Sequence, residues 1–88
     1  MDYKIVHLED EQRFETEVDG YTGYVVYRIY DNCLDIIHTI VPQPIEGRGI
    51  AAALVKETYT YALEHNLRPQ AACSYAAVWL KRNPEYDK

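Results

Sequence analysis

A chain of 88 residues is long enough for one domain with a single hydrophobic core and too short for a separate substrate domain. No apolar run approaches the roughly 20 residues that span a bilayer, and a net charge of -5 argues against nucleic acid, whose binding depends on neutralising phosphates with Lys and Arg. The start Met1-Asp2-Tyr3-Lys4 lacks the basic-then-apolar layout of a signal peptide, so the expectation is a cytoplasmic monomer or weak dimer with no membrane partner.

In chain order, Tyr3 to Leu8 and Arg13 to Val18 read as strands; the second alternates Phe14, Thr16 and Val18 against Arg13, Glu15 and Glu17. Glu9, Asp10 and Glu11 form a solvated acidic connection between them. Asp19-Gly20 signals a hairpin into a third strand from about Thr22 to Tyr30, and Asp31-Asn32-Cys33 turns the chain into a fourth, Leu34 to Val41. That fourth run, LDIIHTIV, is rich in β-branched residues and reads as buried. Ile50 to Glu64 then reads as a helix, with Ile50, Leu54, Tyr61 and Ala62 on one side and Lys56, Thr60 and Glu64 on the other. Pro69 to Ser74 reads as a fifth strand and Tyr75 to Arg82 as a second helix, giving an α+β domain. Cys33 falls in a predicted turn and Cys73 in a predicted strand; a reducing compartment would leave both as thiols, and they form neither a disulfide nor a metal motif.

Between the fourth strand and the helix lies Pro42-Gln-Pro-Ile-Glu-Gly-Arg-Gly-Ile-Ala51, two glycines and an arginine where a strand ends and a helix starts. A helix start leaves backbone N–H groups unpaired and carries partial positive charge, so it stabilises an anion placed there. Gly47 and Gly49 permit a sharp turn and close approach of a ligand to bare backbone. The segment is neither a P-loop, since Ile50 follows Gly49 with no Lys-Ser or Lys-Thr pair, nor a dinucleotide fingerprint, since no third glycine follows. Charge is unevenly spread: residues 1–41 hold nine acidic and three basic side chains, a net of -6, and residues 42–88 hold five and six, a net of +1. The second half suits an anionic ligand and the first a cationic one, although acidic surface also serves solubility.

The run I-x-H-T-x-V-P, followed after a few residues by G-R-G-I-A-x-x-L-V, resembles the acetyl-CoA-binding motif of the GNAT N-acetyltransferase superfamily. The superfamily pattern is Gln or Arg, two residues, Gly, one residue, then Gly or Ala. Here it falls on Glu46, Gly47, Arg48, Gly49, Ile50 and Ala51. The strand and helix that follow, and the ending Lys81-Arg82-Asn83-Pro84-Glu85-Tyr86, are similar to the close of the shortest single-domain members. The likeness covers about half the chain, from Leu34 onward; the first half matches in strand order. The resemblance implies that acetyl-CoA lies across the Glu46 to Ala51 turn, with its pantetheine arm paired to backbone at Ile40 and Val41. Arg82 and Lys81 are candidates for its phosphates, as well as for a solvated helix end. Glu46 departs from the pattern, because a carboxylate beside a pyrophosphate repels it, and this implies weaker binding rather than none.

Acetyl transfer to an amine needs a held thioester, a deprotonated amine and a proton donor for the departing thiolate. His38 is the candidate base, read on the same strand face as Leu34, Ile36 and Ile40, where burial favours neutral imidazole; the same position suits a core histidine bonded to backbone. Cys73, at the end of the fifth strand, faces the splayed end of the fourth in a GNAT fold, close to the thioester sulfur. It is either a nucleophile passing through an acetyl-cysteine or a small buried hydrophobe. Many GNAT enzymes place a tyrosine acid on the last helix; that position falls on Leu80 here, leaving Tyr75 or Tyr86 as substitutes. The implied acceptor is a primary amine, on a small molecule or a lysine side chain, and the rival reading is a non-catalytic CoA-binding module.

Overall fold

The computed structural model describes residues 3–86. Two hairpin turns organise its first half. Asp19 and Gly20 have φ of 53° and 81°, and Asp31 and Asn32 have 50° and 62°. Two-residue loops with both φ positive carry the twist that matches paired strands, so each joins neighbouring strands directly. They link β2 (Arg13–Val18), β3 (Tyr21–Tyr30) and β4 (Cys33–Ile40) as antiparallel neighbours. Cys33 therefore opens a strand, buried and opposite Tyr30, rather than sitting in the turn. Outside them β1 (Val6–Leu8), shorter than the expected Tyr3 to Leu8, pairs with β2 across a 3₁₀ turn at Glu9–Glu11.

Helix α1 (Ile50–Glu64) carries the chain across the sheet to β5 (Arg68–Ala71), which lies parallel to β4, and α2 (Ser74–Arg82) follows. The sheet order is β1-β2-β3-β4-β5, the α+β arrangement expected. β5 ends earlier than the predicted Ser74, because Cys73 already caps the second helix. At the far end of α1, Asn66 takes a left-handed conformation (φ 58°), and the amides of Asn66 and Leu67 bond back to Leu63 and Ala62. These are the paired bonds that close a helix when the residue after its cap is left-handed.

The core lies between the sheet and α1. Phe14, Val25, Tyr27, Leu34 and Ile36 from the strands meet Ile50, Leu54, Val55, Tyr59 and Ala62, with Ala76 and Leu80 added from α2. The buried row of α1 steps by four through Ile50, Leu54, Thr58 and Ala62, with the Thr58 hydroxyl bonded to Leu54 O at 2.8 Å. Tyr59, not Tyr61, is the fully buried tyrosine of α1, and its hydroxyl donates to Gln70 O at 2.6 Å. Tyr61 is only half-buried and packs edge-on against His7. Among the described residues no helix is long and apolar enough to cross a membrane.

Two features of β4 shape the site. Its pairing with β3 runs Tyr27 with Ile36 and then Val26 with His38, so Ile37 is an extra residue, a β-bulge. A bulge reverses the alternation of faces. Leu34 and Ile36 face α1 beside Ile29 and Tyr27, but beyond the bulge Thr39 takes that face opposite Val25, and His38 turns to the other side with Val26. The expectation that His38 shares a buried face with Leu34 and Ile36 is thus corrected: it is exposed. Pairing with β5 also stops at Ile36 and Ala71. There Ala72 N and Cys73 N both donate to Ile36 O, at 3.1 and 3.0 Å, and Ala72 N also donates to Asp35 Oδ1 at 2.8 Å. The buried Asp35 carboxylate accepts the Tyr30 hydroxyl at 2.5 Å as well, which pins the point where the strands part.

Candidate functional site

Beyond that point β4 runs on beside β3 alone. Its other edge faces a cleft of about 610 Å³ whose walls are Thr39, Ile40 and Val41, the turn residues Ile45 to Gly47, the start of α1 from Gly49 to Ala52, and Tyr75 of α2. The size lies within the range of small-molecule sites. The local sequence explains the turn. Pro42 and Pro44 hold a 3₁₀ turn at Gln43–Ile45, and Ile45 is fully buried, so the loop is anchored from beneath. Glu46 is extended, and Gly47 and Gly49 then adopt φ of 78° and 76°. A side chain strains such backbone, and only glycine adopts it without cost.

The amides in this turn are free. Among the described residues, none from Gly47 to Ala52 bonds to a protein acceptor; the first bond of the helix is Ala53 N to Gly49 O at 3.0 Å. A Cβ built on Gly47 or Gly49 would meet nothing within 4 Å, so no protein group plugs the space. Free amides at a helix start, an open cleft in front of them and an unpaired strand edge beside them fit a ligand with an anionic group and an extended arm. Glu46 stands on the same wall and opposes the anion.

The structure brings Ile40, Val41, Glu46, Gly47, Gly49, Ile50 and Ala51 together around this cleft. Arg48 is elsewhere. Its guanidinium Nη1 lies 2.6 Å from Asp19 Oδ2 in the β2–β3 turn, and its carbonyl accepts the Tyr3 hydroxyl at 2.5 Å. Arg82 and Lys81 occupy the last turn of α2 and do not line the cleft, although the Arg82 charge acts on the phenol of Tyr75, which does. His38 does not line the cleft, because the bulge points it at the opposite face. Of the tyrosines weighed as proton donors, Tyr75 is on the cleft wall, while Tyr86 packs against Trp79 and beside Thr60; Leu80 is core. Burial pushes the Tyr75 phenol up, so it stays protonated.

Cys73 caps α2, its sulfur 3.5 Å from Thr39 Oγ1 across the gap between the parted strands. Burial pushes its thiol up. The Thr39 hydroxyl and the amides of Ala76, Tyr75 and Thr39 pull it down and prevail, leaving it below its ordinary value. The two first-turn amides face the sulfur without completing a capping bond. Thr39 is the residue sequence reading passed over. No residue in the apolar run signals the bulge; the lone hydroxyl beside His38 was the available hint.

Comparison with known proteins points the same way. The profile of the family described as GCN5-related N-acetyl-transferase matches residues 13–88. Protein NATD1 of Bos taurus is 39% identical over 85 residues, covering 92% of this chain and 74% of that one. Protein NATD1 of Homo sapiens is 37% identical over 85 residues, with 92% and 74% covered. The solution structure of a GCN5-like protein from Staphylococcus aureus superposes with a TM-score of 0.74 at 30% identity, covering 96% of this chain and 83% of that chain. With a family match across most of its length, a shared fold and a helix-start cleft of this geometry, the chain belongs to the GCN5-related N-acetyltransferases.

Proposed function

We propose that this protein takes an acetyl group from acetyl-CoA and passes it to a primary amine, with Cys73 as the carrier. The observation that carries the reading is that Thr39 links two things: it lines the cleft that holds the free amides from Gly47 to Ala52, suited to a pyrophosphate, and it touches the lowered thiol of Cys73, which is not itself a wall residue, at the gap where β4 and β5 part. Family members use acetyl-CoA as acetyl donor. In this chain Ile40 and Val41 would offer backbone groups to the pantetheine arm, and the turn amides would hold the diphosphate.

The chemistry then has two balanced steps. The Cys73 thiolate attacks the acetyl carbonyl carbon, a new S–C bond forms, the bond from that carbon to the coenzyme sulfur breaks, and the departing thiolate takes a proton, for which Tyr75 is the donor on the cleft wall. A free-base amine next attacks the acetyl-cysteine, a C–N bond forms, the bond from the acetyl carbon to the Cys73 sulfur breaks to release the thiolate, and the amine's extra proton restores the Tyr75 phenol. His38 has no part in this scheme, since it faces away.

The test is mass spectrometry of the protein incubated with acetyl-CoA and no amine. One acetyl group mapped to Cys73, lost on adding an amine that is itself acetylated, is the expected result. Binding with no acetyl on Cys73 would remove the carrier. Glu46 on the wall and Arg48 held by Asp19 favour a second reading, a weak CoA-binding module without turnover. Coenzyme release that no amine in a broad panel accelerates would select it.

A further inference from the structure

We propose that Thr39, placed by the bulge at Ile37, is the positioning residue for the Cys73 sulfur: its hydroxyl holds the thiolate in the gap between β4 and β5 and aims it into the cleft. The proposal rests on the reading of Cys73 as acetyl carrier. It follows from register. Without the bulge, the two-residue alternation of a strand would put His38 on the face of Ile36 and send Thr39 to the other side. With it, Thr39 stands opposite the fully buried Val25, lines the cleft, and reaches the sulfur at 3.5 Å from the far side of the gap.

The backbone of Cys73 is tied to β4 at Ile36 O, where β4 and β5 last pair, and its sulfur is tied three residues further along β4, at Thr39. Thr39 is therefore the residue of β4 that holds the sulfur itself at the mouth of the gap, through its hydroxyl and with its amide beside it. A hydroxyl is well suited to the task. It accepts the S–H when the thiol is protonated and donates to sulfur when it is not, so one side chain serves both states of a carrier. It adds no charge that would compete with an anionic ligand.

Other groups around the sulfur do not offer this. Tyr59, from α1, feels the Cys73 charge, but its phenol is committed to Gln70 O and is held protonated by burial. Asp35, from β4, spends its carboxylate on Tyr30 and Ala72 N. Among the described residues α2 contributes the backbone amides of Tyr75 and Ala76 and the protonated Tyr75 phenol, with the Arg82 charge acting on that phenol. Among the described residues the ion pairs are Arg13 with Glu15 and Arg48 with Asp19, so none reaches the thiol.

The experiment is the pH profile of Cys73 alkylation by iodoacetamide, read by peptide mass mapping so that the buried Cys33 is counted separately. Thr39→Val, an isostere that keeps the strand, should move the profile to higher pH and slow alkylation near neutrality by about threefold or more, a thiolate fraction that changes tenfold per unit of pKa. Thr39→Ser should restore the wild-type profile. Thr39→Ala gives the same reading should the valine variant fail to fold. Overlaid profiles for wild type and the hydroxyl-free variants would overturn the proposal. The assay uses no acetyl-CoA, so the two readings fail separately. A Thr39-dependent profile with no acetyl-Cys73 sustains the contact and removes the carrier, whereas acetyl-Cys73 forming at the wild-type rate in Thr39→Val removes Thr39 and sustains the carrier.

Discussion

Gly49 holds φ at 76° as the residue before α1, with open space where a side chain would begin. Two consequences separate there. An ordinary side chain would strain the backbone by about 1–2 kcal/mol, and any side chain would stand before the amides. Gly49→Asn distinguishes them, because asparagine tolerates the left-handed region. We expect its melting temperature to stay near the wild type while acetyl-CoA affinity, measured by calorimetry, falls tenfold or more; unchanged affinity would mean that the anion is held elsewhere. The glycines were legible as residues that bring a ligand to bare backbone. The commitment of Arg48 to Asp19 was not, because the partners are far apart in sequence and meet only once the β2–β3 turn is folded beside the loop.

At the scale of the element, the point where β4 and β5 part depends on Asp35. Its carboxylate is buried and serves Ala72 N and the Tyr30 hydroxyl, which raises that phenol above its ordinary value. Asp35→Ala would remove two hydrogen bonds, those from Ala72 N and the Tyr30 hydroxyl, while Ala72 N keeps Ile36 O; two bonds to a charged acceptor contribute about 1–3 kcal/mol together. Chemical denaturation should show a loss of that size, and a variant as stable as the wild type would assign the carboxylate no share in holding the gap. Most elements were readable: Asp19-Gly20 and Asp31-Asn32 are turn formers, and the β-branched runs between them fit strands. The bulge was hidden, since Ile36 and Ile37 are alike and a slipped register in an apolar run leaves no trace in composition. That one residue exchanged His38 for Thr39. The swap of Tyr61 for Tyr59 has a similar cause, since α1 has apolar residues on more than one side and Tyr61 packs at the margin of the core, against His7, Phe14 and Tyr27, and stays half-buried.

At the scale of the whole molecule, His7 joins β1, β2, β3 and α1. Its ring stacks on Phe14 at 4.0 Å between centroids, meets Tyr61 at 4.5 Å, and shares a hydrogen bond of 2.6 Å between Nε2 and the Tyr27 hydroxyl. Burial lowers the imidazole below its ordinary value, with Glu9 opposing and His65 adding to the effect, and burial pushes Tyr27 up to about 12. The fold therefore favours neutral His7, and the unfolded chain binds its proton more readily. Stability from this group is full above the unfolded value of about 6.5 and is lost as pH falls below it. Thermal melts should decline between pH 7 and 5.5 in the wild type and stay flatter in His7→Phe; parallel curves would place the titrating group elsewhere.

The parting of β4 and β5 also bears on how the protein lives in a crowded solution. Exposed strand margins recruit the margins of other chains, which is the usual route to fibres. Here the vacant hydrogen-bonding row lies inside the sheet, walled by the opening turn of α2 on one side and the glycine loop on the other. A strand arriving from another chain would meet the outer margins at β1 and β5 first, and the inner row is left to a narrow, extended ligand.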